Sequence, residues 1–271
     1  MSVVVVIGVG GMGESIARRQ GTGKHLVLAD FNTDTLERVA GTLRGEGYTV
    51  TTAQVDVGDH TSVAALADTA AALGPVTQVA HTAGLSPVQA PADAILRVDL
   101  LGVALVLDEF ARVIAPGGAG VVIASMAGAL SAGRIPAELE AALATTPTAE
   151  LLALPHLGPD PAAAYGIAKR ANQLRIHAAS LAWGARGARV NSISPGVIAT
   201  PMGQEELAGA SGTSMRAMID ASGTGRLGTA ADIAAAAAFL LGPESTFITG
   251  TDLLVDGGVV AAVRAGAYPG R

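Results

Sequence analysis

The chain has no cysteine, which excludes disulfides, thiol catalysis and cysteine-bound zinc and is compatible with a reducing cytoplasm. Charge is sparse as well: 15% of the 271 residues are charged against 50% hydrophobic, and the formal net charge is −6. That acidic balance disfavours DNA, RNA or another polyanion as a partner. The five histidines, His25, His60, His81, His156 and His177, show no HExxH or similar close spacing, so no metal site is expected. Long hydrophobic runs are lacking too. The run over 3–7 carries no basic leader and stops at Gly8, which marks a buried strand and not a signal peptide. The later run over 233–241 is far shorter than the ~20 residues a membrane-spanning helix needs. A cytoplasmic protein with no membrane segment is expected.

What is present is a compact globular composition rich in glycine and alanine. Short β-branched or apolar runs at 3–7, 26–29, 49–55, 76–80, 121–124, 189–193 and 252–255 read as strands. Stretches at 14–19, 33–43, 59–73, 92–114, 162–182 and 230–241 read as helices. Strand and helix alternate with no linker or repeat. The expected fold is therefore α/β, one doubly wound parallel sheet of about seven strands with helices on both faces, spanning 1–271 as a single domain.

Between the first strand and first helix stands Gly8-Val9-Gly10-Gly11-Met12-Gly13, in which Gly8, Gly10 and Gly13 satisfy GxGxxG. Such a turn lets backbone approach a pyrophosphate while the helix N-terminus offers free N–H groups. Asp30 lies twenty residues beyond Gly10 at the end of the second strand, placed to accept hydrogen bonds from the adenosine ribose. The same carboxylate argues for NAD over NADP. A 2′-phosphate beside it would be repelled by about 4 kcal/mol per unit charge pair at ~4 Å and an effective dielectric of ~20. Lys24 and Arg38 are the cations that could offset this.

Tyr165-Gly166-Ile167-Ala168-Lys169 puts a phenol and an ammonium four residues apart, on one face if the run is helical. A lysine so placed stabilises a phenolate and makes the tyrosine a usable acid/base.

With these marks in order, the sequence resembles the short-chain dehydrogenase/reductase superfamily over essentially its full length. The marks are the glycine turn, Asp56-Val57, Ala83-Gly84, Ser125, Tyr165 with Lys169, Asn191, the stretch Pro195-Gly196-Val197-Ile198-Ala199-Thr200-Pro201, and Asp256-Gly257-Gly258. The resemblance implies that Tyr165 exchanges a proton with the substrate oxygen and that Lys169 holds the nicotinamide ribose. It implies that Ser125 hydrogen-bonds the same substrate oxygen. Asp56 and Val57 would flank the adenine, Ala83 and Gly84 the adjoining ribose region, and Val197 and Thr200, beside Pro195 and Gly196, the carboxamide.

Three departures stand out. The glycine turn is one residue shorter than usual, with Ile7 where threonine is common, so Gly10 and Gly11 compete for one role. His81-Thr82 replaces an asparagine pair. Asp99 stands where the family has an asparagine that positions a relay water behind the lysine. Asp99 could accept that water's hydrogen bonds and favour a charged Lys169, while opposing a nearby phenolate.

Ser125 and Tyr165 are forty residues apart, much more than the family commonly needs. The excess, an insertion at about 129–161, holds amphipathic segments at 136–144 and 149–154 continuing to Leu157. It should border the substrate cleft, cover an interface helix or bury its own leucines at the surface. This gap and Ala182-Trp183-Gly184 resemble the bacterial hydroxysteroid dehydrogenase/carbonyl reductase branch. A glycine-punctuated segment at 202–226, with Met202, Met215, Met218 and Ile219 on an adaptable apolar face, is the expected lid.

The expected activity is NAD-dependent hydride transfer between a lipophilic secondary alcohol and its ketone, hydroxysteroid-like or general. The expected assembly, by family resemblance, is a homodimer or homotetramer. An enoyl reductase is disfavoured because such relatives space tyrosine and lysine more widely. The alternatives are a non-catalytic NAD-binding sensor or scaffold and an NADP-dependent carbonyl reductase.

Overall fold

Four valines and an isoleucine in succession have side chains that pack better on a pleated surface than around a helix, and Val3–Ile7 forms strand β1. All five are buried: Val3, Val5 and Ile7 enter one core layer, and Val4 and Val6 the other. That is the alternation of a strand covered on both faces.

The computed structural model describes residues 1–267. The further strands are β2 (His25–Asp30), β3 (Thr49–Gln54), β4 (Val76–His81), β5 (Ile114–Ile123), β6 (Arg189–Pro195) and β7 (Asp252–Val255). They form one seven-stranded sheet in the order β3-β2-β1-β4-β5-β6-β7, with each neighbouring pair parallel.

Helices α1 (Gly11–Gln20), α2 (Thr33–Gly45) and α3 (His60–Leu73) follow the first three strands. After β4 come α4 (Ala92–Ile95), a π segment (Leu96–Leu101) and α5 (Gly102–Val113). Then come α6 (Met126–Ser131), α7 (Ala137–Thr145), α8 (Pro161–Ala185), α9 (Pro201–Ala208), α10 (Gly212–Ala221), α11 (Ala230–Leu241) and α12 (Val259–Arg264). Helices α1, α2 and α11 cover one face through Ile16, Leu36, Leu43, Ile233 and Leu240. Helices α3, α5 and α8 cover the other through Val63, Leu66, Phe110, Ile176 and Trp183. This is the doubly wound α/β architecture expected from the alternation.

Because β1 lies between β2 and β4, the chain reverses its winding direction there, and the carboxyl ends of β1 and β4 border a crevice.

Two differences from the expected elements stand out. Strand β5 begins at Ile114, which pairs with Val76; the register then shifts and resumes at Ala119 opposite Gln78. Pro116-Gly117-Gly118 fits inside the strand because that irregularity asks no regular ladder bonds of it. The helix expected over 92–114 is continuous in course but widens into the π segment at Leu96–Leu101.

The 129–161 segment packs on the molecule's own helices. Leu139 and Leu143 of α7, Leu151 of a 3-10 turn (Thr148–Ala153) and Leu157 are buried with Ile95, Leu96, Leu100, Ala164 and Ala168. Arg170 Nε donates to Glu140 Oε1 at 2.7 Å, and Arg175 Nη1 donates to the carbonyls of Leu143 and Thr146 at 3.1 and 3.0 Å. The leucines of the segment are thus buried against α4, the π segment and α8.

Candidate active site

Helix α8 starts cleanly. Asp160 accepts from the Ala163 N–H at 2.7 Å and Pro161 takes the first turn, where no intrahelical N–H is lost. Its 25 residues bring Tyr165 and Lys169 past the carboxyl end of β5. One turn apart, Lys169 Nζ stands 5.5 Å from the Tyr165 ring centroid. The ammonium donates to the Ile123 carbonyl at 3.2 Å and lies 3.3 Å from Asp99 Oδ2. Ser125 follows β5 and caps α6, its Oγ accepting from the Ala127 N–H at 3.1 Å, and its hydroxyl also hydrogen-bonds the Tyr165 phenol.

Asp99 comes from the π segment, a helical irregularity common at functional sites. It has 0% exposure and Lys169 has 4%. Its Oδ1 accepts from the Leu85 N–H at 2.8 Å. A Cβ on Gly84 would come within 3.2 Å of Lys169 Nζ and 3.3 Å of Asp99 Oδ1, so a larger residue there would crowd this pair by a few tenths of an ångström.

Burial pushes the Asp99 carboxyl up and Lys169 opposes that shift. Burial alone would lower Lys169, but Asp99 and the Tyr165 phenol outweigh it and hold the ammonium above its ordinary range. The phenol of Tyr165 is also raised, by burial first and by Asp99 and Glu206, while Lys169 and the Ser125 hydrogen bond pull it down. The lysine thus acts in the direction expected from the spacing. The net shift is upward because desolvation and two carboxylates exceed it.

His81, beside this pair at the end of β4, is buried, and neither ring nitrogen has a hydrogen-bond partner among the described residues. Burial and the Lys169 charge lower it to about 3, so the ring is neutral.

The nucleotide end is built by glycines. Gly8 has φ +85° and packs on the Ala83 backbone. A Cβ on Gly11 would lie 2.8 Å from Thr200 Cγ2, and one on Gly13 would collide with the Gly8 carbonyl. Gly10, by contrast, has open space before it and precedes the first turn of α1. Both glycines line the cleft, but only Gly11 is packed closely, against Thr200. Thr82 Oγ1 donates to the Gly8 carbonyl at 2.5 Å, bracing the turn with the residue after His81.

Asp30 accepts from the Val9 N–H at 2.8 Å and the Asn32 N–H at 2.9 Å. Asp56 accepts from Gly58 N–H at 2.9 Å and from Arg97 Nη2 at 3.0 Å.

A cleft of about 590 Å³ is lined by Gly8, Gly10, Gly11, Met12 and Asp30 and, further along, by Asp56, Val57, Ala83, Gly84 and Thr200. An adjoining chamber of about 80 Å³ is lined by Asp99, Ser125, Tyr165, Lys169, Pro195 and Gly196. Met12, Gly84 and Thr200 border both. Of the sequence-derived candidates, Gly13 and Val197 line neither. Gly13 lies under the glycine turn, and Val197 packs with Leu207, Met215 and Ile219. No residue of 129–161 lines either cavity.

Two charged lining residues escaped the sequence reading. Arg97 was inconspicuous because only the fold brings its helix to Asp56. Glu206 sits on α9 one turn after Met202, and both line the chamber; that four-residue spacing was the available signal. No described helix is long and apolar enough to cross a membrane, and no group of three metal-ligating side chains occurs among the described residues.

Comparison with known proteins agrees with this geometry. A family model described as short chain dehydrogenase matches residues 2–137, and one described as Enoyl-(Acyl carrier protein) reductase matches 148–260. The chain is 42% identical to short-chain dehydrogenase/reductase bsc3 of Alternaria brassicicola over 96% of each protein. It is 30% identical to a D-threitol dehydrogenase of Mycolicibacterium smegmatis, over 92% of this chain and 88% of that protein. A solved short-chain type dehydrogenase/reductase of Mycobacterium ulcerans superposes with a TM-score of 0.75 at 25% identity, over 96% of this chain and 90% of that one. The chain is an oxidoreductase and belongs to the short-chain dehydrogenase/reductase family.

Proposed function

We propose that the protein is an NAD(H)-dependent oxidoreductase that interconverts a secondary alcohol with a largely apolar body and its ketone, using Ser125, Tyr165 and Lys169. One observation carries this reading. The Ser125 hydroxyl, Tyr165 phenol and Lys169 ammonium converge in a chamber continuous with a glycine-lined cleft that ends at Asp30.

The cleft fits a dinucleotide. Gly10 leaves open backbone before a helix N-terminus where a pyrophosphate would sit, and Asp30 keeps lone pairs beyond its two backbone bonds for ribose hydroxyls. NAD is favoured over NADP because the cations that could offset a 2′-phosphate are engaged elsewhere. Lys24 donates to Gln78 at 2.9 Å, Arg38 faces Glu14 at 3.7 Å, and Arg97, the basic residue lining the cleft, is paired with Asp56.

The bound nicotinamide supplies the hydride acceptor or donor. Tyr165 passes a proton to or from the substrate oxygen, and Ser125 holds that oxygen by hydrogen bonding. Lys169, kept charged by Asp99, stabilises the phenolate and offers its remaining donor to the ribose. The 202–226 segment serves as a lid, placing Met202 and Gly203 at the chamber. The chain 1–271 acts as one dinucleotide-binding domain in a homo-oligomeric cytoplasmic enzyme.

Replacing Tyr165 by Phe should lower turnover by about a hundredfold to ten-thousandfold while leaving NAD affinity within a few-fold. Tight NAD binding with no turnover by the native protein on any ketone or secondary alcohol of a broad panel would favour the sensor reading instead.

A further inference from the structure

The catalytic chamber contains one carboxylate that the reaction above does not use. Glu206 lines it from α9, together with Ser125, Tyr165 and Lys169. It stands close enough to Tyr165 for its charge to disfavour the phenolate. Its neighbour Glu205 is occupied, accepting from Gln89 Nε2 at 2.8 Å across the mouth of the cleft. That bond and the Thr200 cap, in which Oγ1 accepts from the Gly203 N–H at 3.2 Å, set the rotation of the helix. With Glu205 turned to the 85–90 loop, Glu206 is left facing the chamber. Its carboxyl is partly buried and receives no side-chain or backbone donor among the hydrogen bonds described. Such a group costs free energy to desolvate unless a ligand supplies the donor.

We propose that Glu206 is a specificity-determining residue that binds a second hydroxyl of the substrate, next to the carbon being oxidised, so that the preferred substrates are vicinal diols and the α-hydroxy ketones they form. This rests on the hydride-transfer reading and adds the substrate class to it. Ser125, Tyr165 and Glu206 line one chamber of only about 80 Å³, so a second hydroxyl that meets Glu206 lies close along the skeleton to the carbon whose oxygen Ser125 and Tyr165 hold. A hydroxyl fits better than an ammonium, because Lys169 already places a cation in the same small space. Burial, with Glu205 second, disfavours the charged form of Glu206, a cost that a hydroxyl donor from the substrate offsets. The rest of the wall, with Met12, Leu85, Ile198 and Met202, is apolar and suits the carbon skeleton.

The test uses the full chain with reduced cofactor and alcohols, a pair that cannot react, so binding is read by calorimetry without turnover. The probes are cyclohexanol, its vicinal diol and its vicinal amino alcohol. The native protein with NADH should bind the diol about tenfold more tightly than cyclohexanol, equivalent to ~1.4 kcal/mol. Glu206→Leu should erase that preference, and Glu206→Gln should retain most of it, since an amide still bonds a hydroxyl. Independently, both variants should shift the pH profile of turnover to lower pH, because the carboxylate that disfavours the phenolate is gone. Lys169 and Asp99, the other charged groups facing Tyr165, are unchanged. Equal binding of diol and cyclohexanol by the native protein, or an unchanged preference in Glu206→Leu, overturns the proposal. So does a preference for the amino alcohol that Glu206→Gln abolishes. If NADH binds and both alcohols are oxidised at equal efficiency, this proposal fails and the hydride-transfer reading stands. If NADH does not bind at all, both fail.

Discussion

Asp99 Oδ2 lies 3.3 Å from Lys169 Nζ, and neither side chain is more than 5% exposed. A buried cation is thereby matched by a buried anion that also ties the Leu85 backbone. The π segment delivers one partner and the middle of α8 the other.

Replacing Asp99 by Asn keeps the amide contact to Leu85 but removes the countercharge. Breaking a buried pair from one side costs ~3–5 kcal/mol, and thermal unfolding should show a loss near the lower end. Asp99 raises both Lys169 and Tyr165. In the variant both should titrate lower, and the limb of the rate profile that reports phenolate formation should move to lower pH.

His81 sets a second pH dependence. Its folded value of about 3 lies below the ordinary 6.5, so between those limits the unfolded chain binds the proton more readily. Stability from this group is fully present above pH 6.5 and is lost as pH falls toward 3. The loss is on the order of a few kcal/mol, at ~1.36 kcal/mol for each pH unit of displacement. Denaturant titrations across that window should show a shallower pH slope in His81→Asn. An identical slope would mean that the imidazole is not buried neutral.

The proposed preference for NAD rests on Asp30 and can be tested there. Exchanging it for Ser removes a charge that would meet a 2′-phosphate, a repulsion of about 4 kcal/mol at ~4 Å and an effective dielectric of ~20. Fluorescence titration should show NADP affinity rising by more than tenfold while NAD affinity falls. The fall follows from losing the carboxylate that anchors Val9 and Asn32 as well as the ribose contact.

Leu143 is fully buried within the 129–161 segment and lines neither cavity. Leu143→Ala should cost ~2–5 kcal/mol in unfolding free energy. At a temperature where the variant stays folded, KM for alcohol and cofactor should be unchanged. A large change in KM for the alcohol would mean that the segment reaches the substrate.

The order of strands and helices was legible because local physics decides it. The run Val3–Ile7, the glycine turn after it and the Asp160-Pro161 helix start each express a preference that neighbours in sequence suffice to satisfy. Tyr165 and Lys169 could be paired for the same reason, since one helical turn fixes their relation wherever the helix lies. Asp99 was found by its position in a motif, but the π widening around it was not. Nor were the direct partners of its side chain, the Leu85 N–H and the Lys169 ammonium, which are distant in sequence.

What the tertiary structure alone decided was where non-local partners meet. It separated Gly10 from Gly11 by placing Thr200 against one of them, and it turned Val197 into the packing under α9. It seated the leucines of 129–161 on α4, the π segment and α8 instead of over the cleft. It also aimed Glu206 into the chamber, because Gln89 holds the neighbouring carboxylate from a distant loop. Composition and spacing carry short-range geometry and chemical type. The identity of a group's neighbours across the crevice comes only from burying both faces of the sheet at once.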